Sequence, residues 1–100
     1  MRRVVIDPDA QLELRAAAQW YSEQQEGLGD EFMLEIDRTI EGLAEGAHRH
    51  SIWRGGRPYR KVRTPRFPYV VLFVHDDELV HVFAIAHRGR KPGYWLNRKR

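Results

Sequence analysis

Arginine and lysine stand next to tyrosine and tryptophan in four short stretches of this chain. These are Trp53-Arg54-Gly55-Gly56-Arg57, then Tyr59-Arg60-Lys61-Val62-Arg63 with Arg66 beyond it, then His87-Arg88-Gly89-Arg90-Lys91, and lastly Gly93-Tyr94-Trp95. Guanidinium forks clamp phosphates and aromatic faces stack on bases, so this pairing of residue types suits single-stranded nucleic acid. Basic side chains on a strand edge also deter edge-to-edge aggregation, so the pattern alone does not single out a ligand. If residues 59–63 form a strand, alternation puts Arg60 on the face opposite Lys61 and Arg63.

The charge distribution sharpens the point. The chain carries 17 Lys/Arg and 14 Asp/Glu, a net charge of +3. Residues 1–46 hold 4 of the basic and 11 of the acidic residues, a net of −7, which leaves 13 basic and 3 acidic residues, a net of +10, for residues 47–100. All five histidines lie in the second part. A basic half attracts a polyanion or an acidic protein segment. No metal is expected: His48 and His50 form a His-x-His with no third ligand nearby in sequence, and the chain has no cysteine. The absence of cysteine also rules out disulfides and suits a reducing, cytoplasmic setting. The start, Met1-Arg2-Arg3-Val4-Val5-Ile6-Asp7-Pro8, has too few apolar residues for a signal peptide. The run from Val70 to Val74 is too short to span a bilayer, so no membrane association is expected.

The elements that would position these residues follow from periodicity. Residues 2–6 are rich in β-branched side chains and read as a strand ending at Asp7-Pro8, with Asp7 as N-cap and Pro8 in the first helical position. A helix from Pro8 to about Gln25 follows, with Ala10, Leu14, Ala17, Ala18 and Tyr21 on one face; Leu12, Ala16 and Trp20 widen its apolar stripe. A second helix runs from Leu28-Gly29-Asp30 to Gly46 with a seam of Leu28, Phe32, Ile36, Ile40 and Leu43. The short link makes the two an antiparallel hairpin. Residues 47–58 have no period and read as a loop. Three strands follow: Tyr59 to Arg66, Val70 to His75 and Leu79 to His87, with Asp76-Asp77-Glu78 as the hairpin turn between the last two. The tail from Arg88 to Arg100 is interrupted by glycine and proline. One domain over residues 1–100 is expected, of α+β class and order βααβββ, with the helical hairpin packed on one face of a small, mostly antiparallel sheet. The apolar strands belong at the centre and the basic one nearer an edge. The sheet face carrying the basic residues is expected to be open.

Three stretches in this order resemble the C-terminal signature of the RelE/ParE toxin superfamily. They are Tyr59-Arg60-Lys61-Val62, Arg66-Phe67-Pro68-Tyr69-Val70-Val71-Leu72-Phe73, and Val82 through His87-Arg88-Gly89-Arg90-Lys91-Pro92-Gly93-Tyr94-Trp95. The helix opening Ala10-Gln11-Leu12-Glu13-Leu14, the pair Trp20-Tyr21 and the link Gly27-Leu28-Gly29 fit its N-terminal half. The resemblance implies a toxin of a type II toxin–antitoxin pair that inhibits growth, forms a hetero-oligomer with a cognate antitoxin and needs no cofactor. It also implies one of two targets: DNA gyrase, as in ParE-like members, or mRNA in the ribosome, as in RelE-like endonucleases. A nuclease of this kind would let a 2′-hydroxyl attack the adjacent phosphate without a metal. His87 or Tyr94 would then move protons, and Arg60, Lys61, Arg63 and Arg88 would stabilise the charged phosphorane. In a gyrase poison, Arg60, Lys61, Arg63, Arg66, Arg90 and Trp95 form a surface for the target and catalyse nothing. RelE-like nucleases usually have an arginine where this chain has Val70, so the Phe67-Pro68-Tyr69-Val70 stretch is more similar to the ParE or plasmid-stabilisation branch. A third reading, from another class, is a non-toxic module that binds an antitoxin.

Overall fold

Residues 2–47, 59–89 and 94 are described by the structure, a computed structural model. The chain opens with strand β1 (Arg3–Ile6) and two helices, α1 (Pro8–Gln24) and α2 (Leu28–Gly46). Strands β2 (Arg60–Arg63), β3 (Tyr69–His75) and β4 (Leu79–His87) follow. The β1-to-α1 junction is fixed locally. The Asp7 carboxylate accepts a hydrogen bond from the Asp9 N–H at 2.9 Å, and Pro8 fills a first-turn position where its missing N–H costs nothing. Between the helices, Gly27 sits in the left-handed region at φ +83°, a conformation open to glycine at little cost. Two residues on, Gly29 lets the helices touch. A side chain there would place its Cβ 2.4 Å from the Ala18 carbonyl oxygen and 2.0 Å from the Ser22 hydroxyl.

Among the described residues the sheet order is β1-β4-β3-β2, so the two apolar strands are central and the basic β2 stands at one end of that order. β1 runs parallel to β4, and the other pairs are antiparallel. The helical hairpin covers one face. Phe32, Ile36 and Leu43 of α2 are buried with Ala10, Leu14 and Ala17 of α1 and with Val71, Phe73, Val80, Val82 and Ile85 of the sheet. Tyr21, Phe32, Phe67 and Tyr69 form a ring cluster at one end of this core, with centroids 4.9–6.3 Å apart.

The structure corrects three expectations. The second sheet face is not open. Tyr59, Leu72, Phe83, Ala84 and Ala86 are buried there, and Tyr94 of the tail packs against them. β2 is also shorter than the sequence suggests. Thr64 leaves the strand, its hydroxyl donating to the Phe67 carbonyl at 2.6 Å, and residues 65–68 form a bend that the two prolines favour. Finally, Leu12, Ala16 and Trp20 do not widen the buried stripe of α1. They lie roughly 120° around the helix from Ala10, Leu14 and Ala17, and all three are exposed.

A bulge accounts for the way side chains are shared between the two faces. Leu72 pairs with Ala84 and Phe73 with Val82, leaving Phe83 without a partner residue on β3. The extra residue reverses the alternation. Val80 and Val82 point to the helices before it, and Ile85 does so after it, while Phe83 and Ala84 both join the second face. Among the described residues, no helix is long and apolar enough to cross a membrane.

Candidate functional site

The residues singled out from sequence fall in three places. β2 carries the first group. Arg60 pairs with Phe73 and shares its helix-facing side, whereas Lys61 pairs with Leu72 and Arg63 with Val70, both on the second face. The β2–β3 register is unbroken, so no bulge near Val62 brings Arg60 and Arg63 to one side.

Arg66 is a separate case. Its guanidinium donates to Glu31 at 3.0 Å and lies over the Phe67 ring, 5.5 Å from the centroid. The backbone N–H groups of Arg66 and Phe67 both donate to Glu35, at 3.0 and 3.1 Å. Arg66 thus fastens the bend to α2. An exposed pair of this kind adds little by itself, but the carboxylate's two backbone bonds fix the position of the chain.

The third group gathers at the end of β4. The Ile6–Val82 pair is the last between β1 and β4, so the far half of β4, still paired with β3 on its other side, has no strand beside it where it passes α1. Glu13 takes the place of the missing strand. One of its carboxylate oxygens accepts the Ile85 N–H at 3.1 Å, and the other accepts a hydrogen bond from the Tyr94 hydroxyl. His87 is exposed and its Nδ1 accepts the Gly89 N–H at 2.9 Å, which puts the proton of the neutral ring on Nε2. Its ring stands edge-on to Tyr69 with centroids 5.4 Å apart. Arg88 is exposed, and its backbone N–H donates to the Pro68 carbonyl at 2.8 Å. Glu13, Trp20, Tyr69, His87 and Tyr94 wall a recess of about 320 Å³ between α1 and β4, which Arg88 does not line. No arginine or lysine among the described residues lines it. Burial, and then the neighbouring Tyr21 and Glu13, push the Tyr69 phenol above its ordinary value, so it stays protonated at neutral pH.

The arrangement brings His87 and Tyr94 together but leaves Arg60, Lys61 and Arg63 on a different strand and on two faces. Arg90, Trp95, the Trp53–Arg57 stretch, His48 and His50 lie outside the described residues. Among the described residues, no three metal-binding side chains converge. Sequence reasoning missed three members of the recess: Glu13, Trp20 and Tyr69. The signal for Glu13 was present, since position 13 precedes buried Leu14 and lies one turn before buried Ala17, on the flank of the apolar stripe.

Comparison with known proteins agrees with this architecture. The profile of the ParE toxin of the type II toxin–antitoxin system parDE matches residues 4–92. Among solved structures, a chain of the chromosomal ParDE toxin–antitoxin system from P. aeruginosa is similar at a TM-score of 0.72 and 17% identity, covering 87% of this chain and 96% of that one. At that identity the likeness is one of fold. No curated protein matches in sequence.

Proposed function

Because the chain belongs to the ParE toxin family of type II toxin–antitoxin systems, we propose that it arrests growth by poisoning DNA gyrase and that a co-expressed antitoxin neutralises it. The match over residues 4–92 carries the reading. The geometry supports it over RNA cleavage. A phosphorane needs several fixed cations around one phosphate. Here Arg60 sits on the side of β2 opposite Lys61 and Arg63, Arg66 is bound to Glu31, and the Tyr94 hydroxyl donates its proton to Glu13. On this reading the basic residues serve as a surface that a large negatively charged or acidic partner meets, with Arg63 and Arg88 as its exposed parts.

The test is a pair of assays on purified chain. Incubation with gyrase and supercoiled DNA should accumulate covalent gyrase–DNA cleavage complexes, and ribosome-bound message probed by primer extension should remain intact. Clean cuts at A-site codons, abolished by Arg88→Ala, would replace this reading with the endonuclease one. Silence in both assays, with no growth arrest on induction, would leave only the non-toxic antitoxin-binding module.

A further inference from the structure

β1 stands at the other end of the sheet order from β2, and among the described residues it pairs with β4 alone. Two bonds fix which of its backbone groups turn inward. The Arg3 N–H donates to the Glu78 carbonyl and the Asp7 N–H to the Val82 carbonyl, both at 2.8 Å. Every second residue of a ladder addresses the same neighbour, so Arg3, Val5 and Asp7 face β4. Val4 and Ile6 therefore turn their N–H and C=O groups away from the sheet. Among the described residues, the Ile6 carbonyl meets the Gln11 side-chain amide at 3.4 Å, a long contact, and the other three groups meet nothing.

This edge is short and bounded. At one end the Arg2 N–H donates to the Ala44 carbonyl of α2 at 3.0 Å, and at the other α1 begins at Pro8. Proline, lysine or a bulge commonly blunts such an edge, and β1 has none of them. Three of its four side chains are apolar and β-branched, and Val5 is 41% exposed. The charges around it are ordered: Arg2 and Arg3 precede the apolar run, and Asp7 and Asp9 follow it.

We propose that β1 pairs with β1 of a second copy of this chain, antiparallel, about a two-fold axis at Val5. In that register Val4 exchanges both backbone bonds with the partner's Ile6, and Ile6 does so with the partner's Val4. Val5 meets the partner's Val5 at the close position between the bonded pairs. The charge order selects this arrangement. Antiparallel pairing lays the basic end of each strand along the acidic end of the other, whereas parallel pairing would set like charges side by side. A foreign strand would have to be as short and carry the same charge order, and β1 has both properties itself. The axis stands perpendicular to the sheet, so the four strands described become eight in one sheet. Both helical hairpins then cover one side, and Lys61 and Arg63 of both copies share the other.

The experiment uses the purified full chain, in sedimentation equilibrium and amide hydrogen exchange. Wild type should approach twice the chain mass as concentration rises, and its Val4 and Ile6 amides should exchange slowly in the dimer. Val5→Lys brings two ammonium groups together at the axis. It should leave the chain monomeric at concentrations where wild type is dimeric, with partial recovery as salt is raised. Val4→Pro removes an outward donor and spares the ladder to β4, and should have the same effect. Val5→Thr, close in shape and uncharged, should dimerise as wild type does. The Asp7 amide, bonded to Val82, should stay protected throughout and reports that each variant has folded. A wild-type chain that stays monomeric at its highest soluble concentration overturns the proposal. So does a dimer whose Val4 and Ile6 amides exchange freely, or one that survives Val5→Lys. Slow exchange of those amides in a monomer would mean that the chain covers its own edge. Protection gained only when antitoxin is added would give the edge to that partner, and either result refutes self-pairing.

Discussion

Alanine at Gly29 and alanine at Gly42 should move stability in opposite directions, although both substitutions replace a glycine of the same helix. At Gly42 the new Cβ meets nothing within 4 Å. The only change is local: alanine loses less backbone freedom on folding, which favours an interior helical position by about 0.8–1 kcal/mol. At Gly29 the Cβ lies 2.0 Å from the Ser22 hydroxyl and 2.4 Å from the Ala18 carbonyl oxygen, against the 3.4 Å at which ordinary contact begins. The serine can rotate away, but the carbonyl is part of α1 and cannot. The helices must part there by about 1 Å, the difference between 3.4 and 2.4 Å. Overpacking of that kind costs about 1–3 kcal/mol, and the first-turn position recovers less helical propensity than an interior one. Gly29→Ala should therefore lower stability by about 1–2 kcal/mol, or roughly 4–15 °C in Tm for a domain of this size. Gly42→Ala should raise Tm by a few degrees. Urea denaturation with a common m-value measures both changes. Adding Ser22→Gly to Gly29→Ala should recover less than half the loss, because the carbonyl remains. A Gly29→Ala protein as stable as wild type would refute the close approach of α1 and α2, as would full rescue by Ser22→Gly.

Three further outcomes can be checked. Ile36 is fully buried between the helices and the sheet, so Ile36→Ala should cost about 2–5 kcal/mol in urea denaturation, with the loss appearing at every probe of the core. Glu13→Ala removes the acceptor of both the Ile85 N–H and the Tyr94 hydroxyl, and should cost about 1–3 kcal/mol and speed exchange of the Ile85 amide, whereas Tyr94→Phe should leave that amide protected. The Asp76 carboxylate accepts the Glu78 and Leu79 N–H groups, which hold its pKa below the ordinary 3.8. A depressed carboxyl stabilises the fold fully above its unfolded value and loses that contribution as pH falls through the folded one, so the Asp76→Asn protein should lose less stability than wild type between about pH 4 and pH 2.

Where one level of physics decides a feature, it could be read from sequence. The seam Phe32, Ile36, Ile40 and Leu43 is set by helical period, and it is buried as that period requires. Asp7-Pro8 starts a helix because capping is local chemistry. The apolar runs 70–74 and 79–87 are central because only a strand flanked on both sides buries such a run. Less was legible where distant segments meet. Trp20 looks like core by type, but it stands exposed at the rim of the recess between α1 and β4, and only the packing geometry reveals that. The second face looked open because basic residues were expected on it, and Lys61 and Arg63 do lie there, but beside a buried apolar cluster. Phe83 reaches it by plain alternation from Val82, but Ala84 and Ala86 serve it only through the bulge, which no composition or period announces.

The same bulge shapes the candidate site. Strict alternation along β4 would send the side chain of residue 87 to the face that carries Phe83, because the two are four apart. With the extra residue at Phe83, His87 falls opposite Tyr69 and leans on the edge of its ring, on the side of the aromatic cluster and α1. β2 has no matching bulge, so Lys61 and Arg63 keep the second face. One irregularity in one strand thus parts the titratable imidazole from two of the cations that would have to share a phosphate with it. Deleting the bulge residue tests the pairing directly. In a chain lacking Phe83, Val82 stays opposite Phe73 and Ala84 opposite Leu72, so plain alternation keeps Ile85 on the helix side and His87 opposite Tyr69. The deletion also removes the ring that stacks on His81 at 4.2 Å and meets Tyr59 edge-on at 5.4 Å. The shortened chain should therefore lose stability in urea denaturation and keep the nuclear Overhauser effects between the His87 and Tyr69 rings. Loss of those effects in a folded, shortened chain would refute the assignment of Phe83 as the extra residue.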